Sequence, residues 1–419
     1  MIKVGIIGVG TVGSSVALGL EKNRDVIAAR AGEEIVVTKG VVKDLSRTRA
    51  GVKIPITMNV DDILEDPEID IVVELMGGVG FPYEVVKKAL LKGKSVVTAN
   101  KAMLAYHRYD LQEIAGAIPI GFEASVAGGI PIIKALRDGL GANHISSIRG
   151  IMNGTCNFIL TKMVQEGAEY EAVLKEAQTL GYAEADPTFD VGGFDAAHKL
   201  LILASIAYGI DAKPEEILIE GIGAISQDEI AFAKEFGYAL KLLGIAKKDG
   251  DEVELRVHPA FVSNSEMISK VDGVMNGISV IGDLVGETMY YGAGAGGNVT
   301  ASAVISDLIE IARVKGAPML GFKKPMESGL KLKKSEDIRS RYYLKIEVKD
   351  APGVLAKIAN LLGEQGISIS TLLQKNFSCG AKILLSTHIC SEREIKHAIK
   401  ELGGLEVVLS EPTMVRIEA

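Results

Sequence analysis

The first residues of the chain restrict its fold more than any other stretch. Residues 2–7 form a short apolar run that leads directly into Gly8-Val9-Gly10-Thr11-Val12-Gly13, and a helix-like pattern continues through Leu20. Strand, glycine loop and helix in this order are what a dinucleotide pyrophosphate needs. The first glycine makes the turn, the second lets the backbone approach phosphate, and the third lets helix and strand pack closely. Gly8, Gly10, Thr11, Val12 and Gly13 are therefore candidate cofactor contacts, the alternative being a tight turn alone. The pattern then alternates: helix at 61–65, strand at 69–75, helix at 83–91, strand at 95–98. Such alternation predicts an α/β domain with a doubly wound parallel sheet.

Ligands of such sheets sit beyond the carboxyl ends of the strands. Met76-Gly77-Gly78 and Thr98-Ala99-Asn100-Lys101 lie at two of these ends. Thr98 and Lys101 are thus placed to reach cofactor or substrate, although a lysine after a strand also suits an ordinary surface position. The second strand, 35–42, ends in Lys43-Asp44, with Arg47 and Arg49 following. An acidic residue here would hold a ribose hydroxyl, whereas cations suit a 2'-phosphate. Lys43 and the arginines favour NADP, and Asp44 leaves NAD open.

A second distinctive stretch is Gly181-Tyr-Ala-Glu-Ala-Asp-Pro-Thr-Phe-Asp-Val-Gly-Gly-Phe-Asp-Ala-Ala-His-Lys199. It holds Glu184, Asp186, Asp190 and Asp195 and no lysine or arginine before Lys199. Pro187 and Gly192-Gly193 predict an ordered loop. A helix follows, with Leu200, Leu201, Leu203 and Ala204 as a buried stripe. Asp195 and Lys199, four apart, share one helix face. Carboxylates can hold an ammonium, and an amine can exchange a proton with a reacting oxygen. The same residues also suit a solvated acidic loop that caps an ordinary helix.

Between these stretches, Phe122-Glu-Ala-Ser-Val-Ala-Gly-Gly-Ile-Pro131 is a small-residue loop before a helix at 132–140. Its carbonyls, with Glu123, could hold sodium or potassium, and close backbone packing is the preferred alternative. A strand at 145–152 enters Asn153-Gly154-Thr155-Cys156-Asn157 and a helix. Cys156 has no basic neighbour and reads as a neutral thiol. Tyr290-Tyr-Gly-Ala-Gly-Ala-Gly-Gly297 precedes a helix at 299–314, as a cofactor contact or an interdomain hinge. Residues 323–340, lysine-rich and without apolar period, read as a linker. Thereafter strand 342–348, helix 352–362, strands 367–373 and 382–389, helix 392–402 and strand 405–417 make the βαββαβ order of a ferredoxin-like module. Asp350 is placed to cap its first helix and Pro352 to sit in the first turn.

A length of 419 residues predicts two to four domains. A net charge of -8 and a pI near 5.5 argue against nucleic acid or an anionic membrane as partner. The apolar run 200–210 is too short to span a bilayer. Three scattered cysteines, odd in number, fit free thiols in a reducing cytoplasm.

These motifs, taken together, resemble the homoserine dehydrogenases that carry a C-terminal ACT domain. The most specific are Gly181 to Thr188 with Asp195-Ala-Ala-His-Lys199, Thr98-Ala-Asn-Lys101, Asn153-Gly-Thr155 and the N-terminal glycine loop. The resemblance implies a dinucleotide-binding domain at 1–130, completed by part of 290–320. A substrate-binding and dimerisation domain at 131–322 follows, then the linker and an ACT regulatory domain at 341–419. It implies NAD(P)-dependent interconversion of L-homoserine and L-aspartate 4-semialdehyde, on the route to threonine, methionine and isoleucine. Lys199 would be the general acid/base, with Lys101 assisting. Glu184, Asp190 and Asp195 would hold the amino alcohol. Gly181, Glu184 and Gly297 would lie against the cofactor, and the carbonyls of Glu123, Val126, Gly128 and Ile130 would bind a monovalent cation. Asp350, Pro352, Gly353 and Val354 would form an effector turn, with threonine the expected effector, in a homodimer or homotetramer. The family often has Glu where this chain has Gly192, which bears on fine substrate contacts and not on the reaction class.

Overall fold

A computed structural model describes residues 1–313, 318–324 and 329–418. The N-terminal part is a parallel sheet of six strands: β1 (Ile2–Ile7), β2 (Ile35–Val41), β3 (Ile56–Thr57), β4 (Ile71–Glu74), β5 (Ser95–Thr98) and β6 (Ile120–Gly121). Their order across the sheet is β3-β2-β1-β4-β5-β6, so the chain reverses direction between β1 and β4. The strands read as continuous apolar runs because helices cover both faces. One of those helices comes from far along the chain. Gly297–Arg313 packs on Thr11–Lys22, and Ala301, Val304, Ile305 and Leu308 join the core of β1 and β4. Val314, the expected last residue of that helix, lies outside the described residues.

The remaining strands are β7 (Ile145–Ile151), β8 (Leu218–Ile219), β9 (Tyr238–Asp249), β10 (Glu252–Ser263), β11 (Met275–Gly282), β12 (Gly286–Ala293), β13 (Lys331–Leu332), β14 (Arg339–Val348), β15 (Ile369–Phe377), β16 (Gly380–Thr387), β17 (Cys390–Ser391) and β18 (Thr413–Glu418). They form one mixed sheet whose main path runs β12-β11-β7-β9-β10-β18-β14-β16-β15. β10 is its spine. One edge pairs with β9 along its whole length. The other edge is divided among three short parallel partners: β13 at Glu252 and Val253, β8 at Arg256 and Val257, β18 at Ala260 to Val262. No part of a long buried edge is left with idle N–H and C=O groups at these positions.

This sharing changes two expectations. The 323–340 linker is only partly a linker, and residues 325–328 of it lie outside the described residues. β13 is hydrogen-bonded to β10, Lys333 Nζ lies 2.5 Å from Asp249, and β14 already begins at Arg339. The ferredoxin-like module is present in the expected βαββαβ order, but it is welded to the preceding domain through β10 and β18. Its last strand is also shorter than 405–417. Tight turns at Leu405 and Val408 and the missing N–H of Pro412 delay it to Thr413. The expected cap is corrected too. The Val354–Glu364 helix is preceded by Gly353, left-handed at φ 85°, with no side chain capping it, so Asp350 is not the cap and Pro352 stands before the first turn.

Candidate active site

The Phe194–Tyr208 helix carries the centre of the site. It starts after Gly193, whose φ of 87° turns the chain sharply, and nearly all its residues are buried against β9 and β10. A helix buried all round must satisfy any charge within its own surroundings. Asp195 and Lys199 do so at their four-residue spacing: Lys199 Nζ donates to Asp195 Oδ2 at 2.8 Å and to the Met152 carbonyl at 2.6 Å. The other oxygen of Asp195 lies 2.7 Å from Lys101 Nζ, at the start of the Lys101–Ala115 helix. One carboxylate thus joins both lysines. Asn153 completes the knot. Its Nδ2 donates to Asp195 Oδ2 and to Asp190 Oδ1, each at 2.8 Å, while its Oδ1 accepts from Cys156 N and caps the Gly154–Glu166 helix.

The two lysines titrate in opposite directions. Burial holds Lys199 below the usual lysine value, although Asp195 pulls the other way. Burial acts on Lys101 too, but there Asp195, Asp190 and Glu184 outweigh it and the net shift is upward. Burial would raise Asp195, and the two lysines overcome it, holding the carboxyl well below its ordinary value. Asp190 is raised by burial and by the charge of Asp195. Lys199 uses two of its three N–H donors within the protein, so one remains for a ligand oxygen.

Glu184 does not enter this knot. Its side chain is exposed at the rim, and its charge reaches Lys101 across the opening. Gly181, with φ 77°, is exposed beside it. Cys156 is buried, is pushed up by burial, and directs Sγ to the Asp190 carbonyl at 3.2 Å, which suits a neutral thiol.

The nucleotide end is an open cleft of about 930 Å³, lined by Gly8, Gly10, Thr11, Lys43, Arg47 and Met76 among others. The three glycines differ as their proposed jobs require. A Cβ on Gly8 would lie 2.6 Å from the Leu75 carbonyl, and one on Gly13 would lie 2.4 Å from the Gly8 carbonyl. A Cβ on Gly10 would meet nothing within 4 Å. Its face is open to the cleft. No side chain caps the Thr11–Lys22 helix, so its first N–H groups are free for an anion. Gly297 packs directly on this helix, where a Cβ would lie 2.8 Å from Ser15 Oγ. Arg49 also lines the cleft and spends three of its five N–H donors on the loop itself. Its guanidinium donates to the carbonyls of Val9, Arg47 and Asp44 and builds the loop. Lys43 and Arg47 are the exposed cations on the cleft wall. Thr98 is fully buried, with Oγ1 on Glu74 and accepting from Asn100 N. Asn100 Nδ2 ties the loop at Gly78 to Lys101's helix, joining cleft and knot.

The loop of Glu123 to Ile130 has an unusual backbone. Ala127 has φ 52°, the sole positive φ among described residues other than glycine, and Gly128 follows at 49°. The carbonyls of Val126 and Gly128 are in buried residues and accept no hydrogen bond among the described residues. Buried carbonyls without donors fit a hard monovalent cation. The Glu123 carboxylate is otherwise engaged, accepting from Ile133 N at 2.8 Å and Lys134 N at 2.9 Å. Burial and the nearby Asp307 push it up to about 7. No cluster of three or more His, Cys, Asp or Glu side chains that could hold a metal occurs among the described residues. At the effector turn, Asp350, Pro352 and Gly353 are exposed and Val354 is buried.

Sequence reasoning missed several residues. Asn153 stood in one of the motifs of the resemblance but was given no role, and only the fold shows that it bridges two aspartates. His198 is buried edge-on to Phe189 and Tyr106, and burial lowers it to about 4, so it is a neutral ring at the wall of the knot. Glu74, fully buried and raised by burial, holds Thr98 and the Met76 amide. The Val-Val-Glu end of β4 was a possible signal for it.

A parallel sheet with a glycine-loop cleft, next to a lysine and carboxylate pocket, defines the class of nicotinamide-dependent dehydrogenases of small amino acids. Comparison with known proteins narrows this. Residues 131–309 match the homoserine dehydrogenase family, 8–118 the homoserine dehydrogenase NAD binding domain, and 342–407 the ACT domain. The homoserine dehydrogenase of Helicobacter pylori is 57% identical over 419 residues, covering 100% of this chain and 99% of its own. A crystal structure of a homoserine dehydrogenase from Thiobacillus denitrificans superposes with a TM-score of 0.94 at 44% identity, over 100% of this chain and 98% of that one. A hyperthermophilic archaeal homoserine dehydrogenase in complex with NADPH aligns at 28% identity with a TM-score of 0.62, over 74% of this chain and 97% of that one. The chain belongs to the homoserine dehydrogenase family and carries a C-terminal ACT domain.

Proposed function

We propose that this enzyme interconverts L-homoserine and L-aspartate 4-semialdehyde with Lys199 as the general acid/base, and that it prefers NADP to NAD. The observation that carries this reading is the single buried carboxylate of Asp195 held by both Lys199 and Lys101. A bound nicotinamide would supply or accept the hydride at the alcohol carbon. In reduction, Lys199 Nζ gives its free proton to the aldehyde oxygen, and its charge stabilises the alkoxide as it forms. In oxidation the neutral amine takes that proton back, and burial, by lowering its proton affinity, keeps more of the amine in the neutral form that the step requires. Lys101 stands on the other side of Asp195, fixes its orientation and adds positive potential. Asp190 Oδ2, which has no partner among the described residues, and Glu184 at the rim are suited to the substrate ammonium. Gly8, Gly10 and Thr11 line the dinucleotide side, Val12 and Gly13 continue the helix behind them, and Gly181 and Gly297 would stand at its margins. Thr98, fully buried with its hydroxyl on Glu74, supports the strand end and is not the cofactor contact expected of it. Lys43 and Arg47 suit a 2'-phosphate, and this supports NADP.

The same reading places sodium or potassium on the carbonyls of Glu123, Val126, Gly128 and Ile130, where it would brace the loop against Gly294. An amino-acid effector, threonine first, would act at Asp350, Pro352, Gly353 and Val354 across a homodimer or homotetramer. The pathway role is biosynthesis of threonine, methionine and isoleucine in the cytoplasm. No helix among the described residues is long and apolar enough to cross a membrane. The test is the absorbance of reduced nicotinamide with L-homoserine and other amino alcohols, run with NAD and NADP in parallel. The reading requires turnover with homoserine alone among them and a higher kcat/KM with NADP. Equal turnover of an unrelated amino alcohol would overturn it.

A further inference from the structure

The C-terminal strand reaches the proposed substrate segment through one buried arginine. Arg416 on β18 is 1% exposed, and it forks onto Glu220 with contacts of 2.6 and 2.9 Å. Its remaining face is held by Glu392, with Nε on Oε2 at 3.0 Å and a second contact from the guanidinium to Oε1. Glu220 is therefore placed by a rigid, planar and bidentate partner. Its backbone is fixed as well, since Glu220 N donates to Val257 O at 2.8 Å.

The next two residues touch the segment that carries Asp190, which is a short helix, Thr188–Val191, where an uninterrupted loop was expected. Ile222 N donates to the Val191 carbonyl at 2.9 Å. A Cβ on Gly221 would lie 2.3 Å from that carbonyl and 2.7 Å from Gly192 Cα, so the two backbones are in direct contact. Asp190 immediately precedes Val191, and Asn153 ties it to Asp195. A cavity of about 530 Å³ beside this contact is lined by Thr188, Gly192 and Glu220 on one side and Thr413 and Met414 on the other.

We infer that Arg416 and Glu220 are positioning residues for homoserine: the ACT strand β18 sets the height of the Asp190 segment, acting through Glu220 and Gly221. The inference rests on the reading of Asp190 as an ammonium acceptor. It predicts a defect in the KM for homoserine and not for the nicotinamide, because the cleft of Gly8 to Gly13 lies on a different sheet.

The experiment uses full-length Glu220→Gln, Arg416→Lys and Asp190→Asn, with steady-state kinetics for both substrates and thermal melting. Glu220→Gln keeps the size of the side chain, and Glu220 is partly exposed, so a folded variant is expected. The homoserine KM should rise about tenfold in Glu220→Gln, a coupling of ordinary size, with the nicotinamide KM within about twofold and kcat less affected. Arg416→Lys, which keeps the charge and loses the fork, should fall between wild type and Glu220→Gln. If Asp190→Asn raises the homoserine KM while Glu220→Gln leaves it within about twofold of wild type, positioning through Arg416 is overturned and the Asp190 reading stands. A parallel rise in both KM values, or a loss of melting temperature alone, assigns the pair to general stability and also overturns it. An Asp190→Asn enzyme with unchanged homoserine KM overturns both.

Discussion

The nucleotide cleft and the lysine–carboxylate knot stand close together but are built from different materials. The cleft is walled by backbone, apolar side chains and an exposed loop bearing Lys43 and Arg47. Its charged groups touch solvent, and the contact between Asp44 and Arg47 is an exposed one. In the knot, Asp195 and Lys199 are buried, and every polar member is bonded to another member. Charges near solvent are screened and act nearly independently, whereas buried charges set each other's protonation. Effects of substitution should therefore add in the cleft and fail to add in the knot.

The largest expected effect tests the knot. Lys199→Ala should lower kcat by about 10²–10⁴-fold, the span usual for loss of a general acid. Fluorescence titration of reduced nicotinamide should find its Kd unchanged. Combining it with Lys101→Ala should cost much less than the product of the two single losses, because both lysines work through Asp195. A fully multiplicative result would break the contrast drawn above.

A middle-sized effect concerns pH. Asp195 raises the proton affinity of Lys199, while burial lowers it. Asp195→Asn removes the raising influence and leaves the burial, so the affinity falls further. Homoserine oxidation needs the neutral amine, so the acid limb of its kcat/KM profile should move to lower pH in the variant. A limb that stays in place, or moves up, would show that another group is being titrated.

The smallest effects belong to the cleft. Lys43→Ala and Arg47→Ala should each raise the KM for NADPH by about two- to fivefold, as exposed ion pairs do, and should multiply when combined. KM values for NADH and homoserine should not move. A drop in NADH binding of equal size would mean that these side chains support the loop and do not select the cofactor.

How much of this could be read in advance follows the range of the interactions. The glycine loop was legible because turn, phosphate approach and helix packing all occur within six residues. Asp195 and Lys199 were legible because a helix brings positions four apart together. β9, β10 and β11 carry no motif and drew no prediction, yet β10 turned out to be the spine of the larger sheet. Asp350 looked like a cap and is not one, because Gly353 at positive φ takes the cap position. Arg49 looked like a free cation, and three carbonyls that only meet in the folded loop take three of its five donors.

The sequence by itself determined the chemistry available at each local stretch: a bare backbone at Gly10, an amine at Lys199, acids around it and a ferredoxin-like end. Local geometry depends on neighbours a few residues away, and those are written in order. Only the tertiary structure decided that Lys101 shares a carboxylate with Lys199, that Asn153 bridges two aspartates and that Arg416 holds Glu220 beside the segment of Asp190. It also decided which lysine loses its proton more readily. Burial and electrostatic potential are sums over residues that folding gathers from the whole chain, and no single stretch contains them.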